Sequence, residues 1–344
     1  MSTPLVNILI PTYNTEKTIA ATIQSIQSQT YKNIVITLVD NCSTDNTCAI
    51  ATALFDSRCS LIQNERNIGG ERNFSRCIDV AQGDYAAIYH ADDIYKPSIV
   101  SEQIYFLENN PDMGAVFTGT DFIDANGEVT GKHNLTYLSD KKAVLDFSTL
   151  FKLILRHHNF LICPSAMVRT NIYKNEIKKW RGDLFGSSAD LDVWLRIAEH
   201  HPIGVINEPL MQYRVSKNQG SYLLDRTRTT RAPFLSVVEH YFEKKTNSGR
   251  LTKKDMAYLK MQGSTDITRR TLNLMQNDQF SEAKKLTNHF WKELNFRFFL
   301  FNKKSIRNLI LIFCVTAGNN FILRRVTRYF TTYFLSERQN IFKN

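Results

Sequence analysis

The 344-residue sequence is 43% hydrophobic and 22% charged, which is ordinary for a globular protein and excludes a low-complexity or fibrous chain. Its formal net charge of +10 indicates an acidic partner, such as a phosphorylated ligand, an anionic membrane surface or a nucleic acid. The six cysteines lack zinc-ligand spacing, the N-terminus lacks the basic start of a signal peptide, and the longest apolar run is too short to cross a bilayer, so we expect a cytoplasmic location.

The first hundred residues alternate between short apolar runs and segments with helical periodicity. The predicted strands are residues 5–10, 34–39, 60–63 and 85–89. After the first of them, Ile19, Ile23 and Ile26 recur at the spacing of one helix face. Strands and helices that alternate at this spacing predict an α/β fold with a mostly parallel sheet flanked by helices.

Beyond residue 97 the pattern is less regular. It predicts a helix over 97–109, a strand over 115–118, a hairpin over 121–131, helices over 147–155 and 189–200, and a strand over 203–206. After about residue 221 helical periodicity dominates and basic pairs such as Lys244-Lys245 recur. We therefore predict one domain over residues 1–220 and a helical, basic C-terminal region over residues 221–344.

Polar side chains follow each of the first four predicted strands. They are Thr12, Asp40, Asn67 and the run from His90 to Asp93. Because the carboxyl ends of parallel strands meet at one edge of a sheet, where ligands of α/β proteins bind, we expect these residues to share one site. Adjacent carboxylates repel each other unless a cation compensates, and carboxylate and imidazole ligands suit Mg²⁺ or Mn²⁺.

The turn after the first strand, Pro11 to Asn14, contains no glycine. It therefore lacks the G-x-G-x-x-G pattern of NAD and FAD sites, and the chain has no Walker A loop for ATP. The carboxylate pair Asp92-Asp93, together with Asp40 and Arg72, instead suits a nucleotide whose diphosphate is held by a divalent cation.

Six short segments stand in this order: Ile10-Pro-Thr-Tyr-Asn14, Val39-Asp-Asn-Cys-Ser-Thr-Asp-Asn-Thr47, Asn67-Ile-Gly69, Ala91-Asp-Asp93, Asp190-Leu-Asp-Val-Trp-Leu-Arg196 and Tyr213-Arg214. Together they resemble the family 2 inverting glycosyltransferases of GT-A fold, of the bacterial surface-polysaccharide and lipooligosaccharide type, and the resemblance runs from about residue 4 to residue 216. It implies transfer of a hexose or N-acetylhexosamine from a nucleotide-sugar, usually UDP-linked, to a hydroxyl of a carbohydrate or lipid-linked oligosaccharide, with inversion.

The resemblance also implies roles at the donor site. Pro11, Thr12 and Tyr13 would line the pocket for the nucleotide base, and Asp40 would accept a hydrogen bond from that base. Three further residues would frame the ribose and the diphosphate: Asn67, Arg72 and Asn73.

The remaining roles concern the metal and the reaction. Asp92 matches the last carboxylate of the family's D-x-D motif and would hold Mn²⁺ or Mg²⁺, while Asp93 would face the sugar or shape its loop. Asp190 matches the catalytic base, and Arg214 would stabilise the departing diphosphate. His90 stands where the family has the first aspartate; an imidazole can still bind a ribose or a metal, but its different charge weakens the expectation of metal dependence.

Alternatives stay open for the base, the function and the C-terminal region. Asp192 competes with Asp190, since positions two apart on a helix face different directions. The alternative function is a non-catalytic partner that keeps the nucleotide-sugar pocket and assists a polysaccharide pathway. Residues 295–334 alternate apolar and basic side chains, which predicts contact with an anionic membrane on its cytoplasmic face or packing, for example in a homo-oligomer; no nucleic-acid-binding motif accompanies them.

Overall fold

The computed structural model describes residues 3–133, 135–138, 140–215, 227–247, 249–293 and 303–317. The chain divides into two compact units. Unit 1 consists of Met1–Phe151 and Asn159–Val215, and unit 2 consists of Lys152–His158 and Ser216–Asn344. The assignment of catalysis to residues 1–220 stays a prediction, because compactness alone does not assign an activity to either unit.

The first half of unit 1 alternates strands with helices. Its elements are β1 (Val6–Thr12), α1 (Ile19–Gln27), β2 (Ile34–Asp40), α2 (Thr47–Ala53), β3 (Cys59–Gln63), α3 (Gly70–Val80) and β4 (Tyr85–Ile88). The strands are parallel and lie in the order β3-β2-β1-β4. Nearly every residue of β1, β2 and β4 is buried, as expected for strands covered on both faces. On α1, the predicted apolar face of Ile19, Ile23 and Ile26 is fully buried.

The second half of unit 1 mixes parallel and antiparallel strands. Its elements are β5 (Ile94–Tyr95), α4 (Ile99–Glu108), β6 (Ala115–Ile123), β7 (Val129–Lys132), β8 (Lys142–Leu145), α5 (Phe147–His157, which ends in unit 2), β9 (Met167–Arg169), α6 (Gly182–Phe185), α7 (Ala189–Ala198) and β10 (Ile203–Arg214). From β4 the sheet continues in the order β9-β6-β10-β5, with β7 beside β6 and β8 beside β10. β6 and β10 are parallel, whereas β5, β7, β8 and β9 run antiparallel to their neighbours.

β10 is longer than the sequence pattern predicts. The predicted strand ends at residue 206, but β10 continues through Pro209 to Arg214 with two register shifts against β6. At these shifts the main chain of β10 comes so close to β6 that position 119 requires a glycine. A Cβ atom on Gly119 would lie 2.8 Å from the main-chain oxygen of Glu208. The extension carries the end of β10 to the His90–Asp93 loop, where the main-chain N–H of Arg214 donates to a carboxylate.

Unit 2 contains helices, as the C-terminal sequence pattern predicts. They are α8 (Pro233–Glu243), α9 (Lys253–Gln276), α10 (Phe280–Glu293) and α11 (Lys303–Ala317). α9 begins with a capping box formed by Thr252 and Asp255. One apolar cluster joins α9, α10 and α11 through Leu272, Leu274, Met275, Ala283, Leu311 and Val315. Among the described residues, no helix has both the length and the apolarity that crossing a bilayer requires.

Candidate active site

The polar residues that follow β1, β2 and β4 lie at one edge of the sheet, as the sequence predicts. Thr12 and Asp40 are register partners at the ends of β1 and β2. β4 is the other neighbour of β1, and the His90–Asp93 loop follows it directly. Thr22 of α1 donates a 2.8 Å hydrogen bond to the main-chain carbonyl of Asp93, which fixes the loop against that helix.

Asp40 is completely buried, and its carboxylate is bonded within the fold. One oxygen accepts the Ser43 hydroxyl at 2.5 Å. The other accepts the main-chain N–H of Ser43 at 2.9 Å and the side-chain amide of Gln63 at 3.1 Å. These bonds shape the loop after β2, and the contact of Asp40 with a nucleotide base stays a prediction.

The three residues predicted to line the base pocket differ in exposure. Thr12 is 2% exposed, and its hydroxyl donates to the carbonyl of Ile10 at 3.0 Å. Pro11 is half-buried, whereas Tyr13 is 45% exposed. Tyr13 is therefore the most accessible of the three side chains to a ligand.

Four residues, Asn41, Asn64, Asn67 and Asn73, form what we call the asparagine network. The Asn41 amide donates to Asn67 at 2.8 Å, and the Asn64 amide donates to Asn41 at 3.2 Å and to Asn73 at 2.9 Å. Asn73 in turn donates to a main-chain carbonyl of β2 at 2.9 Å. The network holds the loop between β3 and α3, while Arg72 on the same helix is exposed. The sequence reasoning missed Asn41 and Asn64, although both amides directly follow strands, β2 and β3, which was a usable signal.

His90, Asp92 and Asp93 each offer one ligand atom, and these atoms lie within 4.8 Å of one another. Asp93 is fully buried, and one of its carboxylate oxygens accepts the main-chain N–H of Arg214 at 2.8 Å. The other oxygen has no hydrogen-bond partner among the described residues and lies 4.0 Å from Nδ1 of His90. Nε2 of His90 is also buried and has no hydrogen-bond partner among the residues that the structure describes.

Burial dominates the electrostatics of this group. It raises the pKa of Asp93 well above its usual range, and the neighbouring Asp92 carboxylate raises it further. Burial also lowers the pKa of His90, an effect that Asp92 opposes. A neutral imidazole and a buried carboxyl group, each with an unpartnered ligand atom, fit a divalent cation.

The guanidinium of Arg214 binds main-chain carbonyls. It donates to Asp92 at 2.9 Å, to Asp124 at 2.8 Å and to Ala125 at 3.1 Å. Arg214 thereby ties the turn between β6 and β7 to the His90–Asp93 loop. These contacts give Arg214 a structural role, and its contact with a departing diphosphate stays a prediction.

The first turn of α7 carries two carboxylates in very different surroundings. Asp192 is fully buried and forms ion pairs with Arg181 and Arg196. Asp190 is half-buried, and none of the described residues forms an ion pair with it. Two arginines therefore compensate the charge of Asp192, whereas Asp190 has no such ion pair among the described residues, and its role as the base stays a prediction.

Asp190 accepts hydrogen bonds from two neighbours. Its oxygens bind the main-chain N–H of Leu191 at 2.7 Å and the side-chain amide of Asn159 at 3.0 Å. Burial nevertheless raises the pKa of Asp190 to about 6. Burial raises the pKa of the Cys163 thiol well above its usual range, and the carboxylates of Asp190 and Asp93 raise it further, so both carboxylates lie within electrostatic range of this half-buried thiol.

Two aromatic rings, those of Phe74 and Trp180, lie on the His90 side of the site. The rings of Phe74 and Trp180 lie with their centroids 4.6 Å apart, and Phe74 meets the His90 ring edge-on at 5.5 Å. The sequence reasoning missed both rings, because they come from separate segments with no shared motif. Trp194 belongs to the core: it is 1% exposed and packs against Phe117.

Sequence comparisons show which known proteins this chain resembles. A family model described as glycosyl transferase family 2 matches residues 7–176. An uncharacterized glycosyltransferase of Methanocaldococcus jannaschii is 31% identical over 250 residues, which cover 71% of this chain and 82% of that protein. The UDP-Glc:alpha-D-GlcNAc-diphosphoundecaprenol beta-1,3-glucosyltransferase WfaP of Escherichia coli is 42% identical over 106 residues, which cover 30% of this chain and 41% of that enzyme.

A solved structure shares the fold. S. aureus TarS 1–349 in complex with UDP-GlcNAc matches with a TM-score of 0.64, covering 95% of this chain and 92% of that chain at 15% sequence identity. At so low an identity the likeness concerns the fold alone. The GT-A α/β fold predicted from the sequence is confirmed.

Proposed function

This chain belongs to glycosyltransferase family 2, and we propose that it moves a hexose or N-acetylhexosamine from a UDP-linked donor to a hydroxyl of a carbohydrate or lipid-linked oligosaccharide, with inversion. The observation that carries the proposal is the state of Asp190. It is a half-buried carboxylate with a pKa of about 6, in electrostatic range of the thiol that Asp93 also influences. A general base works best when its pKa is close to the working pH.

The chemistry requires one carboxylate at the acceptor side. As the acceptor hydroxyl attacks the anomeric carbon, Asp190 takes its proton, and the bond from that carbon to the diphosphate breaks on the opposite face. A single displacement of this kind inverts the anomeric centre and needs no carboxylate nucleophile. The ion pairs of Asp192 with Arg181 and Arg196 agree with this scheme, because they occupy the other carboxylate of the same turn.

The donor would lie along the ends of β1, β2 and β4. Tyr13, whose ring is exposed, and Asp40 would contact the base, and the exposed Arg72 would bind the phosphates. We favour uridine because WfaP, by its name, uses UDP-glucose and TarS was solved with UDP-GlcNAc. The side chains of Pro11, Thr12, Asn67 and Asn73 would shape the pocket.

Mn²⁺ or Mg²⁺ would be held by Asp92, with His90 and Asp93 beside it. The buried, unpartnered atoms of His90 and Asp93 support this assignment. When bound, such a cation offsets the negative charge that develops on the leaving diphosphate.

Nucleotide binding is the first test. We expect UDP to stabilise the protein against thermal unfolding, by about 2.7 kcal/mol at a hundredfold excess over Kd, and Mn²⁺ to increase the effect. Differential scanning fluorimetry with UDP, GDP and CDP, each with and without Mn²⁺, measures it. Asp92→Asn should remove the metal-dependent part.

The outcomes separate the candidate functions. If none of the three nucleotides changes the melting temperature in the presence of metal, the nucleotide-sugar proposal is wrong. If UDP-sugars bind but are neither hydrolysed nor transferred, the non-catalytic partner of a polysaccharide pathway becomes the better description.

We further propose that the C-terminal region holds the enzyme on the cytoplasmic face of an anionic membrane. Most of residues 295–334, for which the sequence predicts this contact, lies outside the described residues. Within α11, however, Ile306, Ile310 and Phe313 are 42%, 52% and 63% exposed. Their i, i+4, i+7 spacing places them on one helix face, and an exposed apolar face of this kind suits insertion into a lipid surface.

Vesicle binding tests the membrane proposal. The protein should sediment with anionic vesicles, less so as salt rises, and replacing Ile306, Ile310 and Phe313 by serine should weaken binding. Leu184→Ser, at a residue of unit 1 that is 65% exposed, is the matched control. Equal sedimentation of the triple variant, or a chain that ignores vesicles and forms dimers, would contradict the proposal.

A further inference from the structure

Asn159 contacts the carboxylate of Asp190 from a separate segment of the chain. Its Nδ2 donates to Oδ2 of Asp190 at 3.0 Å, while its Oδ1 accepts the main-chain N–H of Leu161 at 3.2 Å. The bond from Leu161 determines which way the amide is turned, because only the amide oxygen can accept it. The amide nitrogen therefore faces Asp190.

We propose that Asn159 is a positioning residue for the general base, and this rests on the function proposed above. The two oxygens of Asp190 are each held by one hydrogen bond, from Asn159 and from the main-chain N–H of Leu191. Two bonds on two oxygens stop the carboxylate from rotating about its terminal torsion, which is otherwise soft. The remaining lone pairs then keep a constant direction toward an acceptor hydroxyl.

Asn159 also stabilises the ionised form of Asp190. A hydrogen bond donated to a carboxylate favours its charged state. The titratable groups that influence this part of the site are Cys163 and Tyr213, and burial raises the pKa of both, so both are neutral at pH 7. Arg181, which precedes α6, and Arg196, in the last turn of α7, pair with Asp192 instead. Asn159 is thus the one side chain among the described residues that donates a hydrogen bond to Asp190.

The pH dependence of kcat tests the proposal. In the wild type, kcat should fall as pH drops through about 6, where Asp190 becomes protonated. Asn159→Leu should shift the pH at which kcat falls upward by about one pH unit. The variant should therefore be slow at pH 6.5 and recover by pH 8.5. Asn159→Asp, which keeps the shape but adds a carboxylate, should shift this pH further. The Kd for UDP should stay unchanged in both variants.

Asn175→Leu, at an exposed asparagine of the same unit, is the matched control and should leave the profile unchanged. A loss of kcat by one factor at every pH, or a pH profile that is unshifted in both variants, would overturn the positioning role. UDP binding verifies folding, and the isosteric Asn159→Asp remains usable if Asn159→Leu does not fold.

A second readout separates this inference from the proposed function. Carbon-13 NMR of protein labelled at its aspartate carboxyls, with Asp190→Asn to assign the signal, measures the pKa of Asp190 even when no transfer occurs. A higher pKa in Asn159→Leu supports the contact, whereas an unchanged one refutes it. A wild type without transfer at any pH would instead refute the function.

Discussion

The two halves of unit 1 hold their functional residues by different means. In the parallel half, the bonds of the asparagine network and of Asp40 all lie between residues 39 and 73, within one run of consecutive βα units. In the mixed half, Asp190 is held by a residue 31 positions earlier, and the His90–Asp93 loop is held by Arg214, 121 positions after Asp93. The edge predicted to bind the donor is therefore built mainly by one run of βα units, whereas the position of Asp190, the proposed base, depends on the assembled sheet.

The largest expected effect comes from replacing Asp190, the proposed base. Asp190→Asn should lower kcat by about 10²- to 10⁴-fold, because a neutral amide cannot take the proton of the acceptor hydroxyl. The affinity for UDP should not change, since the residues of the parallel half are untouched. Steady-state kinetics with a fixed acceptor, together with UDP titration, measures both quantities.

Asp192→Asn is the matched control, two positions along the same helix. It should reduce the free energy of unfolding by about 2 kcal/mol, because Arg181 and Arg196 lose a shared counter-ion; both arginines keep some contact with water, which moderates the loss. Urea unfolding followed by tryptophan fluorescence reports it. If Asp192→Asn abolished transfer while Asp190→Asn spared it, Asp192 and not Asp190 would be the base.

The smallest effect should come from the asparagine network. Asn41→Ala removes the amide that binds Asn67 and Asn64, so the loop before α3 should loosen and UDP binding should weaken by about fivefold, the value of one hydrogen bond. The kcat at saturating donor should stay unchanged. Asn126→Ala, at an exposed turn of the mixed half, serves as the control. An unchanged Kd for UDP would show that the network does not support the donor site.

The sequence by itself determined the parallel half and the residues at its edge. Buried strands such as β1 and β4 consist mostly of apolar residues, and the polar residues that end them are adjacent in the chain. Such information is local in the sequence. Parallel strands bring their carboxyl ends to the same edge of a sheet, whatever the details of side-chain packing. The prediction of a site from Thr12, Asp40 and the His90–Asp93 loop needed nothing more.

Only the tertiary structure decided which carboxylate on α7 is available, and what Arg214 and Asn159 contact. Asp190 and Asp192 stand about 200° apart around a helix, and the sequence cannot say which side meets Arg181 and Arg196. The partners of Arg214 depend on two register shifts in β10 that no periodicity reveals. Contacts across such separations follow from how the strands and helices pack, and packing is a property of the whole unit.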